Sequence, residues 1–373
     1  MIIGIPKETA QGENRVAANP ATVKGLFKLG IDKVIVERAA GEKSFISDED
    51  YVDSGAKIAS NVEELYRQSK LILKVRNPET AELELLNENH VVIGLLQPHD
   101  KKKLASLADK GVVGLAMEKL PRISRAQSMD VLSSQANLAG YRAVLATANE
   151  YTRLMPMLMT AAGTIKAARC VVMGVGVAGL QAIATAKRLG CIVEATDVRP
   201  ETKEQVESLG AKFIEVPNPK GKVDDASPKA SVYATEMSEE YKKKQTELVS
   251  KRVEQADIVI TTALIPGKPA PILVTKAMVE SMRPGSVIVD LAVEQGGNCP
   301  LSELNKTILH NQVAIIGISN LPSLLASDAT ALYSRNILNF VELLITKDEG
   351  EFVLNREDEI VEETLVCLNG KPK

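Results

Sequence analysis

With 373 residues, 45% apolar and 25% charged, the chain has the composition of an ordinary water-soluble protein and length for two domains, each with its own core. A net charge of −3 excludes an electrostatic case for nucleic acid or an anionic membrane as the main partner, and no stretch reaches the ~18 apolar residues of a membrane span. Four cysteines (Cys170, Cys191, Cys299, Cys367) and three histidines (His90, His99, His310) lack metal-ligand spacing; the cysteines read as reduced core thiols of a cytosolic chain, and no metal site is expected.

The chain opens on a strand, Met1-Ile2-Ile3-Gly4-Ile5, with no signal peptide. Asn19-Pro20 forms an N-cap with proline at the first helical position, and Gly30 ends that helix. Apolar runs at Lys33 to Glu37, Leu71 to Val75, His90 to Leu96 and Val112 to Ala116 alternate with helical patterns. Such alternation predicts a parallel sheet covered on both faces by helices.

A polar segment, Pro121 to Gln135, then leads into a long helix ending near Arg153. On a helix, Gln127 and Asp130 would share a face. With Arg122 and Ser133 they offer the donors and acceptors that a carboxamide needs, although a solvated helix start would look the same. Met155, Met157 and Met159 are expected to fill a core.

The second domain is organised around Ala168 to Arg199. Arg169 to Met173 reads as a strand that stops at Gly174-Val175-Gly176-Val177-Ala178-Gly179, a complete G-x-G-x-x-G. A helix follows to Gly190, and a second strand, Ile192 to Thr196, ends at Asp197. The first glycine permits the turn, the second lets backbone approach a pyrophosphate, and the third lets helix pack on strand. An acid about 20 residues on, at a strand end, accepts ribose hydroxyls and repels a 2′-phosphate, so NAD is favoured over NADP. Arg199 could tolerate such a phosphate.

Further strands are expected at Lys212 to Val216, Asp257 to Thr261, Ser286 to Asp290 and Val313 to Gly317, and a second long helix over Leu321 to Leu344. Pro217 to Thr235 is longer than an ordinary αβ connection, so it reads either as a lid carrying Tyr233 and Met237 or as a solvated loop. Asp290 to Pro300, with Glu294 and Gly296-Gly297, follows a strand end, where α/β sites form. The expected fold class is α/β with two doubly wound parallel-sheet domains, the second a Rossmann domain, linked by long helices. The expected domains are 1–138 with 321–373, and 139–320, with the site in the cleft between them.

A dehydrogenase acting on an alcohol or amine needs a base for the proton. Hydride exchange between two nicotinamide rings needs only orientation, which suits scarce histidines and the Gln127 and Asp130 groups better.

Gly4-Ile5-Pro6-Lys7-Glu8, Glu13-Asn14-Arg15-Val16-Ala17, Pro121 to Asp130, Asn137 to Arg142, the fingerprint, Ala195 to Arg199 and Gly296-Gly297-Asn298-Cys299-Pro300 carry a resemblance over nearly the whole chain. The chain resembles the soluble NAD(H)-binding component of proton-translocating nicotinamide nucleotide transhydrogenase. The resemblance implies NAD(H) contacts and catalytic roles for Arg122, Gln127, Asp130 and Ser133 at the nicotinamide end. Gly174, Gly176, Val177, Gly179, Asp197, Val198 and Arg199 would serve the other end, with Tyr233 and Leu264 on contacting loops. It further implies a homodimer, a partner component holding NADP(H), and a membrane-spanning component that moves protons, with this chain peripheral on the cytoplasmic face. The alternative is alanine dehydrogenase, whose substrate-binding positions Arg15 and Lys74 match. Where that family has a catalytic histidine, however, this chain reads Leu95-Leu96-Gln97-Pro98, and where it has an aspartate before Gln-Gly-Gly, Glu294. An NAD-sensing module is a third reading, which would not need the Gln127 and Asp130 pair.

Overall fold

A computed structural model describes residues 1–216, 239–265, 267–346 and 350–373. The lid segment with Tyr233 and Met237 therefore lies outside the described residues. The strands in chain order are β1 (Ile2–Ile5), β2 (Lys33–Glu37), β3 (Lys57–Ala59), β4 (Leu71–Arg76), β5 (Val91–Leu95) and β6 (Val113–Ala116). Then come β7 (Leu158–Thr160), β8 (Gly163–Ile165), β9 (Arg169–Met173), β10 (Ile192–Thr196), β11 (Lys212–Phe213) and β12 (Ile258–Thr261). The last are β13 (Val287–Asp290), β14 (Thr307–His310), β15 (Val313–Ile316), β16 (Leu365–Leu368) and β17 (Lys371–Pro372).

Two compact units emerge, 1–136 with 322–373, and 137–321. The first is built on a sheet of order β17-β16-β6-β5-β4-β1-β2-β3. Strands β1 to β6 pair in parallel, while β16 joins β6 antiparallel and β17 returns against β16. This edge departs from the wholly parallel sheet expected, because the C-terminal strands arrive from the far end of the chain with no crossover helix to reverse them. Period-2 alternation puts Ile3, Ile5, Val34, Val36, Leu71 and Leu73 in one core, and Ile35, Ile72 and Val92 in another on the opposite face. Asn19 caps the first helix as expected, accepting from the Thr22 amide at 2.8 Å, and Gly30 follows its end at φ +84°.

The second unit has the order β11-β10-β9-β12-β13-β15-β14, parallel except for β14 at the edge. Strand β9 is flanked by β10 and β12, so the strand order reverses there, where an open α/β sheet binds its ligand. The helix Val131–Glu150 carries residues of both units. Among the described residues no helix is long and apolar enough to cross a membrane. All four cysteines are free and buried.

Met155 is buried, but Met157 is 61% and Met159 70% exposed. The core role expected for these two fails because they fall at β7, whose antiparallel hairpin with β8 is exposed at every residue.

Candidate dinucleotide site

In the second unit, each fingerprint glycine has its own geometric reason. Gly174 sits at φ +96°, and a Cβ there would lie 2.7 Å from Thr262 Oγ1. Gly179 would put a Cβ 2.0 Å from the Gly174 carbonyl oxygen, so helix and strand could not approach as they do. Gly176 has no atom within 4 Å of such a Cβ, and it caps the helix Val177–Arg188 without a side chain. The turn is thus open over the first-turn N–H groups, which lack intrahelical acceptors, and these features fit a pyrophosphate.

The loop after β12 is stitched to this turn. The Thr262 amide donates to the Met173 carbonyl at 2.9 Å, and Thr262 Oγ1 donates to the Gly174 carbonyl at 2.9 Å. Fully buried Asn298 accepts from the Ala263 amide at 3.1 Å and donates to the carbonyls of Ala263 at 2.9 Å and Pro271 at 2.8 Å. Leu264, half exposed, rides on the loop so held. Buried Asp290 accepts from the amides of Ala292 and Cys299 and from Ser302 Oγ, which makes Asp290 a tie for its own loop; Glu294 is exposed. Neither Thr262 nor Asn298 stands out in the sequence, although Asn298 lies in a quoted motif.

Asp197 ends β10 with its side chain buried and already engaged. It accepts from the Val175 amide at 2.7 Å, the Arg199 amide at 2.9 Å, and Arg199 Nε and Nη2 at 2.9 and 3.0 Å. Burial opposes its charge, but the Arg199 hydrogen bonds outweigh that and hold its carboxyl below the usual range. Arg199, which the sequence left available to a 2′-phosphate, is occupied by Asp197 and the Val175 carbonyl. Val198 between them is 84% exposed.

In the first unit, Ser124–Met129 forms a 3-10 helix and not the start of the long helix. Gln127 and Asp130 therefore do not share a face of one α-helix, contrary to expectation. Asp130 breaks the run at φ −70°, ψ 90° and caps the helix Val131–Glu150, accepting from the Ser133 amide at 2.9 Å and Ser133 Oγ at 2.5 Å. The Asp-x-x-Ser spacing was the available signal for that cap. Arg122 and Gln127 point to solvent, while Ala126 and Met129 anchor the turn in the core.

The two cations at the dehydrogenase positions are held by the chain's own carboxylates. Arg15 donates from Nε and Nη2 to Glu13 at 2.7 Å each and from Nη1 to Gln135 at 2.8 Å. Lys74 Nζ lies 2.6 Å from Glu82 and 3.4 Å from Glu8. Gln97 is exposed, at φ +54°, and accepts from Lys103 Nζ at 2.6 Å. Its amide has no proton-accepting power near neutral pH.

The model of the alanine dehydrogenase/PNT N-terminal domain matches residues 4–139, and that of the C-terminal domain residues 143–372. The chain belongs to the alanine dehydrogenase/PNT family. Within this family it is 51% identical to the first of the separate polypeptides that make up the NAD(P) transhydrogenase alpha subunit of Rhodospirillum rubrum, covering 99% of this chain and 97% of that protein. A crystal structure of transhydrogenase from Sinorhizobium meliloti is 46% identical, superposes with a TM-score of 0.90 and is covered in full, as is this chain. The alanine dehydrogenase of Methanococcus maripaludis is 29% identical over all of this chain and 94% of its own length. The chain thus groups with the transhydrogenase side of the alanine dehydrogenase/PNT family, and its second unit is an NAD-binding Rossmann domain.

Proposed function

We propose that the chain is the NAD(H)-binding component of a proton-translocating transhydrogenase, holding NADH while its hydride passes to NADP+ on a partner component. A membrane-spanning component moves the protons, and the chain is peripheral on the cytoplasmic face through these partners. The observation that carries the reading is the full-length match to the Rhodospirillum rubrum transhydrogenase alpha polypeptide. Bound NADH supplies the hydride. The backbone at Gly174, Gly176, Val177 and Gly179 receives the diphosphate, and Asp197, Val198 and Arg199 receive the adenosine ribose and its surroundings. Arg122, Gln127, Asp130 and Ser133 fix the nicotinamide carboxamide, with Tyr233 and Leu264 as loop contacts.

The test is hydride transfer from NADH to an NADP analogue on the purified partner component. Gln127→Asn keeps the amide and removes one methylene, so it should slow transfer at least roughly tenfold with NADH affinity little changed, since orientation errors near 1 Å cost ~10²-fold. The chain should not reduce NAD with alanine. Robust alanine-dependent reduction, with Gln127→Asn leaving transfer untouched, would reverse the assignment to alanine dehydrogenase.

Cofactor choice follows from Asp197. NADH should bind more tightly than NADPH, and Asp197→Ala should narrow the gap by roughly tenfold or more, because hydrogen bonds to a charged group are worth ~1.5–3 kcal/mol. The substitution also releases Arg199, which narrows the gap from the other side. Equal affinities in the unaltered chain, measured by titration, would sink this assignment.

The chain acts as a homodimer. The uncovered hairpin supports that reading, since an isolated two-stranded hairpin is at best marginally stable in water. From Leu154 to Ile165 it carries no charge. Its base, at Pro156, packs against Gly190 at the end of the 177–188 helix. A groove of about 590 Å³ lined by Leu180, Ala184 and Leu209 runs along that same helix.

A further inference from the structure

Asn336 and Asn339 lie on the helix Ala326–Val341, some two hundred residues from the 3-10 turn in the sequence. Both donate to one acceptor, the carbonyl of Ser128, at 2.8 Å from Asn336 Nδ2 and 3.0 Å from Asn339 Nδ2. Ser128 sits between Gln127 and Asp130 in the 3-10 turn. Asn336, itself 8% exposed, also accepts from Ser134 Oγ at 2.8 Å, one residue beyond Ser133 on the helix that Asp130 caps. One buried amide therefore bridges the end of the 3-10 turn and the first turn of the next helix, holding the chain on both sides of Asp130. A further restraint comes from Arg125, whose Nη1 and Nη2 each donate to Asp358 at 2.6 Å. That pair is half exposed at the arginine, so it contributes little to stability. The asparagines are the stronger anchor.

A 3-10 turn of six residues has poor hydrogen-bond geometry of its own and holds its shape when its surroundings fix it. Here the Gln127 carbonyl reaches the Asp130 amide only at 3.4 Å. The geometry points to Asn336 and Asn339 as positioning residues that set the placement of Gln127, Asp130 and Ser133 for hydride transfer. The inference rests on the function proposed above. Neither asparagine touches the cofactor; both act through the Ser128 carbonyl and Ser134.

Because two donors share one acceptor, their removals are not additive. Asn339→Ala leaves Asn336 in place and should alter transfer less than about twofold. Asn336→Ala loses the Ser134 bridge as well and should slow transfer by several fold. The double variant frees the carbonyl and should slow transfer at least roughly tenfold, in kcat, with the NADH dissociation constant within about twofold. Asn336→Asp keeps the volume and the acceptor for Ser134 but turns an oxygen toward the Ser128 carbonyl, and serves where the double variant fails to fold; it too should lower kcat. Amide hydrogen exchange over residues 124–134 should quicken in the double variant while the β1 to β6 sheet stays protected. Unchanged kcat in the double variant and in Asn336→Asp, or unchanged exchange in the turn, overturns the positioning role. Failure of the unaltered chain to bind NADH or to support transfer would instead overturn the functional reading beneath it.

Discussion

Glu13→Gln should lower the stability of the first unit by roughly 3–5 kcal/mol, the cost of leaving a buried charge without its partner. Glu13 is 1% exposed and faces Arg15, 3% exposed. Its Oε1 accepts from the Arg15 amide at 3.0 Å and from Arg15 Nε at 2.7 Å; its Oε2 accepts from Arg15 Nη2 at 2.7 Å and Arg76 Nε at 3.0 Å. A glutamine amide keeps one acceptor, turns a donor toward a guanidinium and leaves positive charge uncompensated. The same residue sets an acid limb. Burial opposes the Glu13 charge, yet the Arg15 hydrogen bonds and charge outweigh it and hold its carboxyl at about 2, below the ordinary 4.5. Because the folded-state value is the lower one, ionised Glu13 contributes stability above pH 4.5, and that contribution disappears as pH falls toward 2. Urea midpoints measured across this range should fall with acid in the unaltered chain and flatten in Glu13→Gln. A variant with the original midpoint and the original acid limb would refute the account.

Met157→Asp together with Met159→Asp should raise the dimer dissociation constant at least roughly a hundredfold. The two positions are two apart and point to one face of the hairpin. A two-fold interface sees every substitution twice, so four carboxylates would enter an apolar contact. Like charges placed together there cost several kcal/mol, and each 1.4 kcal/mol is a factor of ten. Since both side chains are exposed within their own protomer, the fold should be retained. Sedimentation over a concentration series distinguishes the cases: a dimer that survives both charges does not use the hairpin, and an unaltered chain that stays monomeric at high concentration is no dimer.

The legible portions of this chain were those written in local pattern. Strand β9, the glycine turn and the acid after β10 form one contiguous stretch, each element with its own signal. Strands β16 and β17 were not legible, because their pairing with β6 is decided by partners some 250 residues away and their own runs are too short to show a period. The hairpin was misread for a related reason: methionine is apolar whether it fills a core or meets another surface, and only the structure shows Met155 inside and Met157 outside. At Asp130 the signal existed but competed with a longer helical pattern, and the cap won. Asn336 and Asn339 gave no signal, because a polar residue on an amphipathic helix ordinarily faces water. Arg199 was legible in position and not in state, since an arginine two residues from an aspartate pairs with it before it meets any phosphate.

The double stitch from Thr262 to Met173 and Gly174 ties the glycine turn to the neighbouring strand end, and Asn298 ties that loop in turn to the one after β13. The diphosphate seat is thereby rigid before anything arrives. A ligand settling there surrenders its own translational and rotational freedom but asks little ordering entropy of the protein, so more of each contact's free energy survives as affinity.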